Sequence, residues 1–407
     1  MTYRDLFRLP EFRPFFFAVS VNVAAGTLAG LALATLVFAR TGSPLLSALS
    51  LFGSSLAQMV GALTLLSSAD RMPPRAMLVA ITVTIAVGTA VLAVPGMPVW
   101  AMLAIILFHG LVGSVGGGAR WGLLAEILPD DSYVLGRSVL NMATGLMQIV
   151  GFATGGVLLV LMTAREALIA AAVLELVTAA ILRWGLAARA PRAEGRASIR
   201  ETWRVTRMLW SDRSVRVTYA ALWVPNGLVV GCEALFVPYA PQAAGVLFIA
   251  GALGMLAGDT AAGRFVPQRW RGLLITPVQA LLAVPYLFFA VSLPLPVAAV
   301  LVAVASVGFG AGLFLQERLV ALVPDDVRGQ ALGLHSSGML TMQAVAATLS
   351  GAVAELVGPG AAMTVMAAAS LVVTALLAPR LRRSRPMCDP EGIRTAAERP
   401  RRHKSGG

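Results

Sequence analysis

The sequence has little charge and almost no lysine. Asp, Glu, Lys and Arg make up 13% of its 407 residues, against roughly 25% in a soluble globular domain. Lys404 is the one lysine. With 57% hydrophobic residues and a mean hydropathy of +0.79, too little polar side chain remains to cover a folded surface in water. Lipid is the solvent that accepts such a balance. Cysteine is scarce: Cys232 lies in an apolar run and Cys388 in a polar tail, which excludes a disulfide framework and leaves two free thiols. Three histidines, one of them in the tail, exclude a clustered metal site, and no cofactor is expected. No Gly-x-x-x-x-Gly-Lys-Ser/Thr stretch occurs, so direct use of ATP is excluded. The first apolar run is too long for a cleavable leader and lacks a small-residue cleavage site, so the first helix is expected to stay as an anchor. The net charge of +12 raises the question of nucleic acid. Its arginines, however, sit in short gaps between apolar runs and in the last 28 residues. With no zinc-finger spacing and no RNA-binding aromatic motif, no nucleic-acid partner is expected.

What is present is a series of long apolar runs. Twelve can be counted, at 14–37, 45–67, 76–95, 98–121, 137–161, 166–186, 216–237, 242–262, 272–292, 295–316, 330–354 and 359–379. Each is long enough to cross roughly 30 Å of hydrocarbon at 1.5 Å per residue. The expected class is an all-α integral membrane protein. Between the sixth and seventh runs lies a basic stretch with Arg189, Arg192, Arg196, Arg200, Arg204, Arg207 and Arg213, of which Ile199–Trp210 has the pattern of an amphipathic surface helix. This divides the chain into a first bundle at 1–186, a linker at 187–215, a second bundle at 216–379 and a disordered basic tail at 380–407. Every second gap is basic: Arg4, Arg8 and Arg13, then Arg71 and Arg75, Arg120 and Arg137, the linker, Arg264, Arg269 and Arg271, Arg318 and Arg328, and the tail. The other gaps hold only Arg40 and Arg165. Positive loops stay on the cytoplasmic side, so both termini are expected there, at a cell membrane.

The two halves echo each other. Leu128-Pro129-Asp130-Asp131 returns 195 residues later as Val323-Pro324-Asp325-Asp326, and Gly113 and Gly117 return at the same spacing as Gly308 and Gly312. A second echo at a spacing of 193 relates Arg71 to Arg264, Pro74 to Pro267 and Gly61 to Gly254. Two echoes at nearly one spacing indicate a duplicated unit of six spans.

Two six-span halves, a basic linker, and Asp70-Arg71 followed by Arg75 after the second span resemble the major facilitator superfamily. The family's loop reads Gly-x-Leu-x-Asp-Arg-x-Gly-Arg-Arg. Here Leu66, Ser68, Pro73 and Pro74 depart from it. Gly151-Phe152-Ala153-Thr154-Gly155-Gly156 is similar to the Gly-Pro-x-x-Gly-Gly element of proton-linked exporters, with Phe152 in place of proline. The resemblance covers Arg13 to about Pro379. It implies two pseudo-symmetric six-helix bundles that rock about a mid-membrane site lined by spans 1, 4, 7 and 10. A short loop of both signs beside helix ends, Asp70, Arg71 and Arg75 with its echo Arg264, is expected to play a conformational role, pairing with acids on the same face or standing as a solvated surface contact.

Polar groups inside a span are costly and need a partner, a wet cavity or a function. Glu233 on span 7, about 10 Å from the mid-plane by helical rise, is a candidate for proton or substrate binding, because burial favours its neutral form. The bland alternative is a carboxyl that braces helices. In Trp223-Val224-Pro225-Asn226-Gly227 the proline removes a backbone donor, so the helix is expected to kink or break, with Trp223 and Asn226 facing substrate or a gate. His109 on span 4 is a second candidate for handling protons, and Asn22 on span 1 completes a polar ring with His109, Asn226 and Glu233. Gln148 and Gln343, 195 apart, form a symmetric pair at substrate depth or act as glue between helices. Glu175, central in span 6, has no evident role.

These residues describe a secondary transporter, expected to export a small lipophilic drug or metabolite against protons, as a monomer in the lipid bilayer. A nutrient importer or uniporter of the same fold is the nearest alternative. A membrane-embedded enzyme would need a nucleophile or metal cluster that is not visible, and a sensor would need a soluble domain longer than the linker or tail.

Overall fold

The structure, a computed structural model, describes residues 3–64, 73–128, 133–189, 199–324 and 327–383. Twelve long helices carry the bundle. The first six are α1 (Phe12–Thr41), α2 (Pro44–Thr64), α3 (Pro74–Leu92), α4 (Val99–Ile127), α5 (Tyr133–Leu161) and α6 (Ala164–Gly185). The last six are α7 (Arg213–Glu233), α8 (Ala244–Arg264), α9 (Gln268–Ala290, ending in a 3-10 turn), α10 (Leu295–Leu322), α11 (Arg328–Val357) and α12 (Pro359–Arg383). No strand occurs among the described residues. All but α2 meet a length and hydropathy criterion for crossing a membrane. At 21 residues, α2 is about 30 Å long as well. The all-α membrane architecture and its six-plus-six arrangement are as expected.

Local chemistry sets the helix ends. Pro44, Pro74 and Pro359 open α2, α3 and α12, where the missing N–H costs nothing. At α6 Thr163 and Glu166 cap each other reciprocally, a capping box. Asp212 caps α7 through the Val215 N–H at 2.8 Å. Gly42, at φ 66°, closes α1 in the left-handed conformation that glycine adopts without strain. The linker forms the expected surface helix, Ile199–Ser211, with Val205 and Leu209 buried and Arg204 and Arg207 exposed.

The repeat becomes a packing contact made twice. A Cβ on Gly61 would lie 2.3 Å from Ser114 Oγ and 3.3 Å from the Leu111 carbonyl. One on Gly254 would lie 2.1 Å from the Ala303 carbonyl and 2.9 Å from Ser306 Cβ. Small residues let α2 meet α4, and α8 meet α10, at backbone distance. Of the kink or break expected at Pro225, the break does not occur: α7 runs continuously through it. The carbonyl that the proline leaves without its helical donor belongs to Ala221, and the buried Gln279 side-chain amide donates to it at 2.7 Å. Lipid would not satisfy that group, so a neighbouring helix does.

The apolar core is arranged unequally along the bundle. At the end that holds the termini there are two separate cores. One, with Phe12, Phe15, Leu123 and Leu186, belongs to the first six helices, and the other, with Val215, Tyr219, Leu319 and Leu381, to the last six. At the opposite, distal end one core spans both halves, with Leu31 and Ala34 of α1 together with Val229, Phe236, Phe248 and Met363, beside a core of the first half alone with Leu33, Leu92, Met102 and Leu168. Asp70, Arg71, Asp130, Asp131, Asp325, Asp326, most of the linker before Ile199 and the tail beyond Arg383 lie outside the described residues.

Candidate functional site

The distal junction is built from small residues. A Cβ on Gly156 (α5) would stand 2.7 Å from the Gly245 carbonyl oxygen and 2.8 Å from its Cα on α8. Beside them Phe152 and Phe248 stack, with ring centroids 5.0 Å apart. On the other flank a Cβ on Gly351 (α11) would lie 2.7 Å from Leu45 Cα on α2. The Glu355 carboxylate at the end of α11 accepts from Ser43 Oγ and from the Leu45 N–H at 3.3 Å. Ser43 in turn caps α2 through the Leu46 N–H at 3.1 Å. A carboxylate is favoured at a helix N-terminus, whose free N–H groups carry partial positive charge. Both flanks lie at the distal tips of their helices, so the halves are pinned together at that end.

The polar residues of the spans fall into separate settings. In the first half, Asn22 Nδ2 donates to Glu175 Oε2 at 2.8 Å, joining α1 to α6, and the Arg120 charge on α4 acts on the same carboxylate. In the second half, Gln343 Nε2 on α11 donates to Asn226 Oδ1 at 3.2 Å. Trp223 stacks on Tyr219 with centroids 4.8 Å apart and gives its indole N–H to His335, at 3.2 Å to Nδ1 and 3.1 Å to the carbonyl. Trp210 of the linker helix completes that aromatic group, 6.0 Å from Trp223. Glu233 closes α7 beside the wholly buried Cys232 and Tyr286, inside the distal core.

The sequence profile of the Major Facilitator Superfamily matches residues 15–317. The chain belongs to that superfamily. Among curated proteins none matches it in sequence. Solved structures of the same fold include a POT family transporter in complex with a thioalcohol-conjugated peptide, at a TM-score of 0.65 and 10% identity over 90% of this chain and 96% of that one. A nucleoside transporter matches at a TM-score of 0.64 and 14% identity, over 89% of this chain and 98% of that one. A bacterial homologue of the human lysosomal transporter Spinster, inward-facing and unoccupied, matches at 0.60 and 12% identity, over 91% and 93%.

Within this facilitator the residues singled out from sequence separate. His109 is buried, and its Nε2 packs against Gly88 of α3 with no hydrogen-bond partner among the described residues. Gln148 is exposed on α5, whereas Gln343 is half-buried on α11 and bonded to Asn226. Arg75 donates to the Leu186 carbonyl at 3.0 Å, tying α3 to the end of α6, and Arg264 is exposed. Gly151 and Gly155 seat α5 on α1, against Thr27 and Leu28, and only Gly156 of that motif reaches across the halves. Four residues with defined roles had no distinct sequence signal: Gln279, His335, Glu355 and Arg120. Arg120 was read as the edge of a loop, yet α4 continues two turns beyond it to Ile127 through Trp121, Leu123 and Leu124.

The Glu355 contact gives a direct prediction. Glu355→Ala removes the carboxylate from the α2 N-terminus, a contribution of about 1 kcal/mol at an exposed site. The population open at the distal end should rise about fivefold. Spin-label distances across that end in lipid nanodiscs measure it, and an unchanged distribution would show that Glu355 does not hold the junction.

Proposed function

We propose that this protein is a proton-driven exporter of a small, largely apolar compound, working by alternating access at the cell membrane as a monomer. Its units are the bundle at 1–186, the linker at 187–215, the bundle at 216–379 and the tail at 380–407. Both termini are taken as cytoplasmic, since the positive residues gather at that end. The observation that carries the reading is the unequal core: separate at the termini end, while at the distal end one of the cores spans both halves. Rocking the halves would exchange which end is joined. The junction that must part is made of glycine contacts and stacked rings, which separate without leaving large voids. Few fixed charges in the spans favour an apolar cargo. Coupling to protons has a physical basis in Glu233. A carboxylate next to a closed apolar seal is expensive as an anion, so the seal closes readily only over the protonated form.

The test is transport in proteoliposomes enclosing a pH-sensitive dye, with a panel of lipophilic cations and metabolites, for the wild type and Glu233→Gln. Substrate-dependent proton flux in the wild type and its loss in the variant are expected. Substrate movement with no proton signal in either protein would replace this reading by facilitated diffusion or by another coupling ion.

A further inference from the structure

Glu175 is a carboxylate in the middle of α6, 2% exposed, and among the described residues its direct hydrogen bond comes from Asn22 at 2.8 Å. The fold contains its own control. Glu175 and Ser370 each stand 11 residues after the first residue of their helices, α6 and α12, and are 195 residues apart, the spacing of the repeat. Ser370 Oγ joins α12 to α7 through the Pro225 carbonyl at 3.1 Å, just as Glu175 joins α6 to α1. A neutral hydroxyl is therefore enough to brace this junction. The charge in the first half is additional to packing, and a buried charge is retained only where something uses it.

The surroundings supply a counter-charge and little else. Facing Glu175, α1 contributes Asn22 and carries no charge between Arg13 and Arg40, while α3 carries none beyond Arg75. α5 has Arg137 near its start, and the remaining ionisable residues of α6 are Arg165, Glu166 and Arg183 near its ends. α4 contributes Arg120, whose charge acts on Glu175. His109 of the same helix is buried against Gly88. Arg120 makes no direct hydrogen bond or ion pair with the carboxylate among the described contacts, and it is half-buried where Glu175 is wholly buried.

We infer that Glu175 is the proton-carrying carboxyl of the first six helices, with Asn22 as its donor and Arg120 as its counter-charge. The inference rests on the proton-coupled reading above. A proton on the Glu175 carboxylate oxygen leaves the pair with a net charge of one, held by Arg120. An uncompensated guanidinium in a span is costly, and its long stem lets it move toward water at the termini end. Loss of the proton draws it back. The protonation state of α6 is thereby tied to the position of α4, on the side where the two cores are separate.

Spin labels at Trp184→Cys and Trp270→Cys, exposed at the termini end on α6 and α9, report the distance between halves in nanodiscs without substrate, with Cys232 and Cys388 replaced by serine. In the wild type the distance distribution should shift between mildly acid and mildly alkaline buffer. Glu175→Gln and Glu175→Ser should abolish the shift, the serine variant reproducing the junction of the second half and so keeping the fold. Glu175→Asp should retain it and Arg120→Gln should displace its midpoint; all are compared in a Glu233→Gln background, so that the distal carboxyl adds no titration of its own. A wild-type shift in the folded Glu175→Ser protein would overturn the assignment and leave Glu175 a brace. A shift abolished by Glu175→Ser alongside absent proton flux would overturn the proton-driven reading instead, leaving a pH-sensitive conformational pair.

Discussion

Gly156→Leu should prevent the distal end from closing and lower transport by at least about tenfold. A single Cβ at this position already falls 2.7 Å from the Gly245 oxygen and 2.8 Å from its Cα. Carbon atoms rest at about 3.5–4.0 Å, so even alanine asks α5 and α8 to part by about 1 Å. A leucine meets backbone on the far side, which cannot rotate away. Overpacking of this kind costs about 1–3 kcal/mol or more, and each 1.4 kcal/mol shifts a two-state population roughly tenfold. Labels at Leu161→Cys and Gln242→Cys, exposed near the junction, should show the wider separation. Gly155→Ala is the control, because its Cβ faces only Leu28 and Leu31 of α1 at 3.3–3.4 Å. It should leave the distal distance unchanged. A normal distance and normal transport in Gly156→Leu would mean that the seal is made elsewhere.

Gln279→Leu should destabilise the protein by about 1–3 kcal/mol, the cost of leaving a buried carbonyl unmet. The carbonyl is that of Ala221, which accepts from the Gln279 side chain because Pro225 has no N–H to offer. The origin of the effect can be isolated by a double-mutant cycle. Pro225→Ala restores a helical donor to Ala221, so Gln279→Leu should cost much less in that background. Thermal unfolding in detergent measures all four proteins. Equal costs in both backgrounds would show that Gln279 stabilises by packing and not by this hydrogen bond.

The long elements were legible in the sequence because each must satisfy lipid over a fixed thickness. The run expected at 14–37 is α1 at Phe12–Thr41, and that expected at 166–186 is α6 at Ala164–Gly185. The surface helix of the linker was legible from the same kind of pattern, with Val205 and Leu209 on one face and arginines on the other. The polar partnerships were not. Asn22 and Glu175 are 153 residues apart, and Gln343 and Asn226 are 117 apart. No local pattern encodes which face of one apolar helix meets which face of another. The candidate ring of Asn22, His109, Asn226 and Glu233 assumed that polar residues in cavity-lining spans converge. The structure gives Asn22 to α6, His109 to α3, Asn226 to α11 and Glu233 to the distal core.

Sequence alone determined the solvent, the number and placement of the helices, the duplication and the superfamily, because hydropathy over about 20 residues and turn residues at repeated spacing are local properties. Only the tertiary structure decided that the halves are joined at the distal end, that Gly156 and Glu355 contribute to that junction, and that Glu175 accepts from Asn22. Those choices depend on helix rotation and depth, which apolar side chains facing lipid on one side and protein on the other leave open until the helices pack.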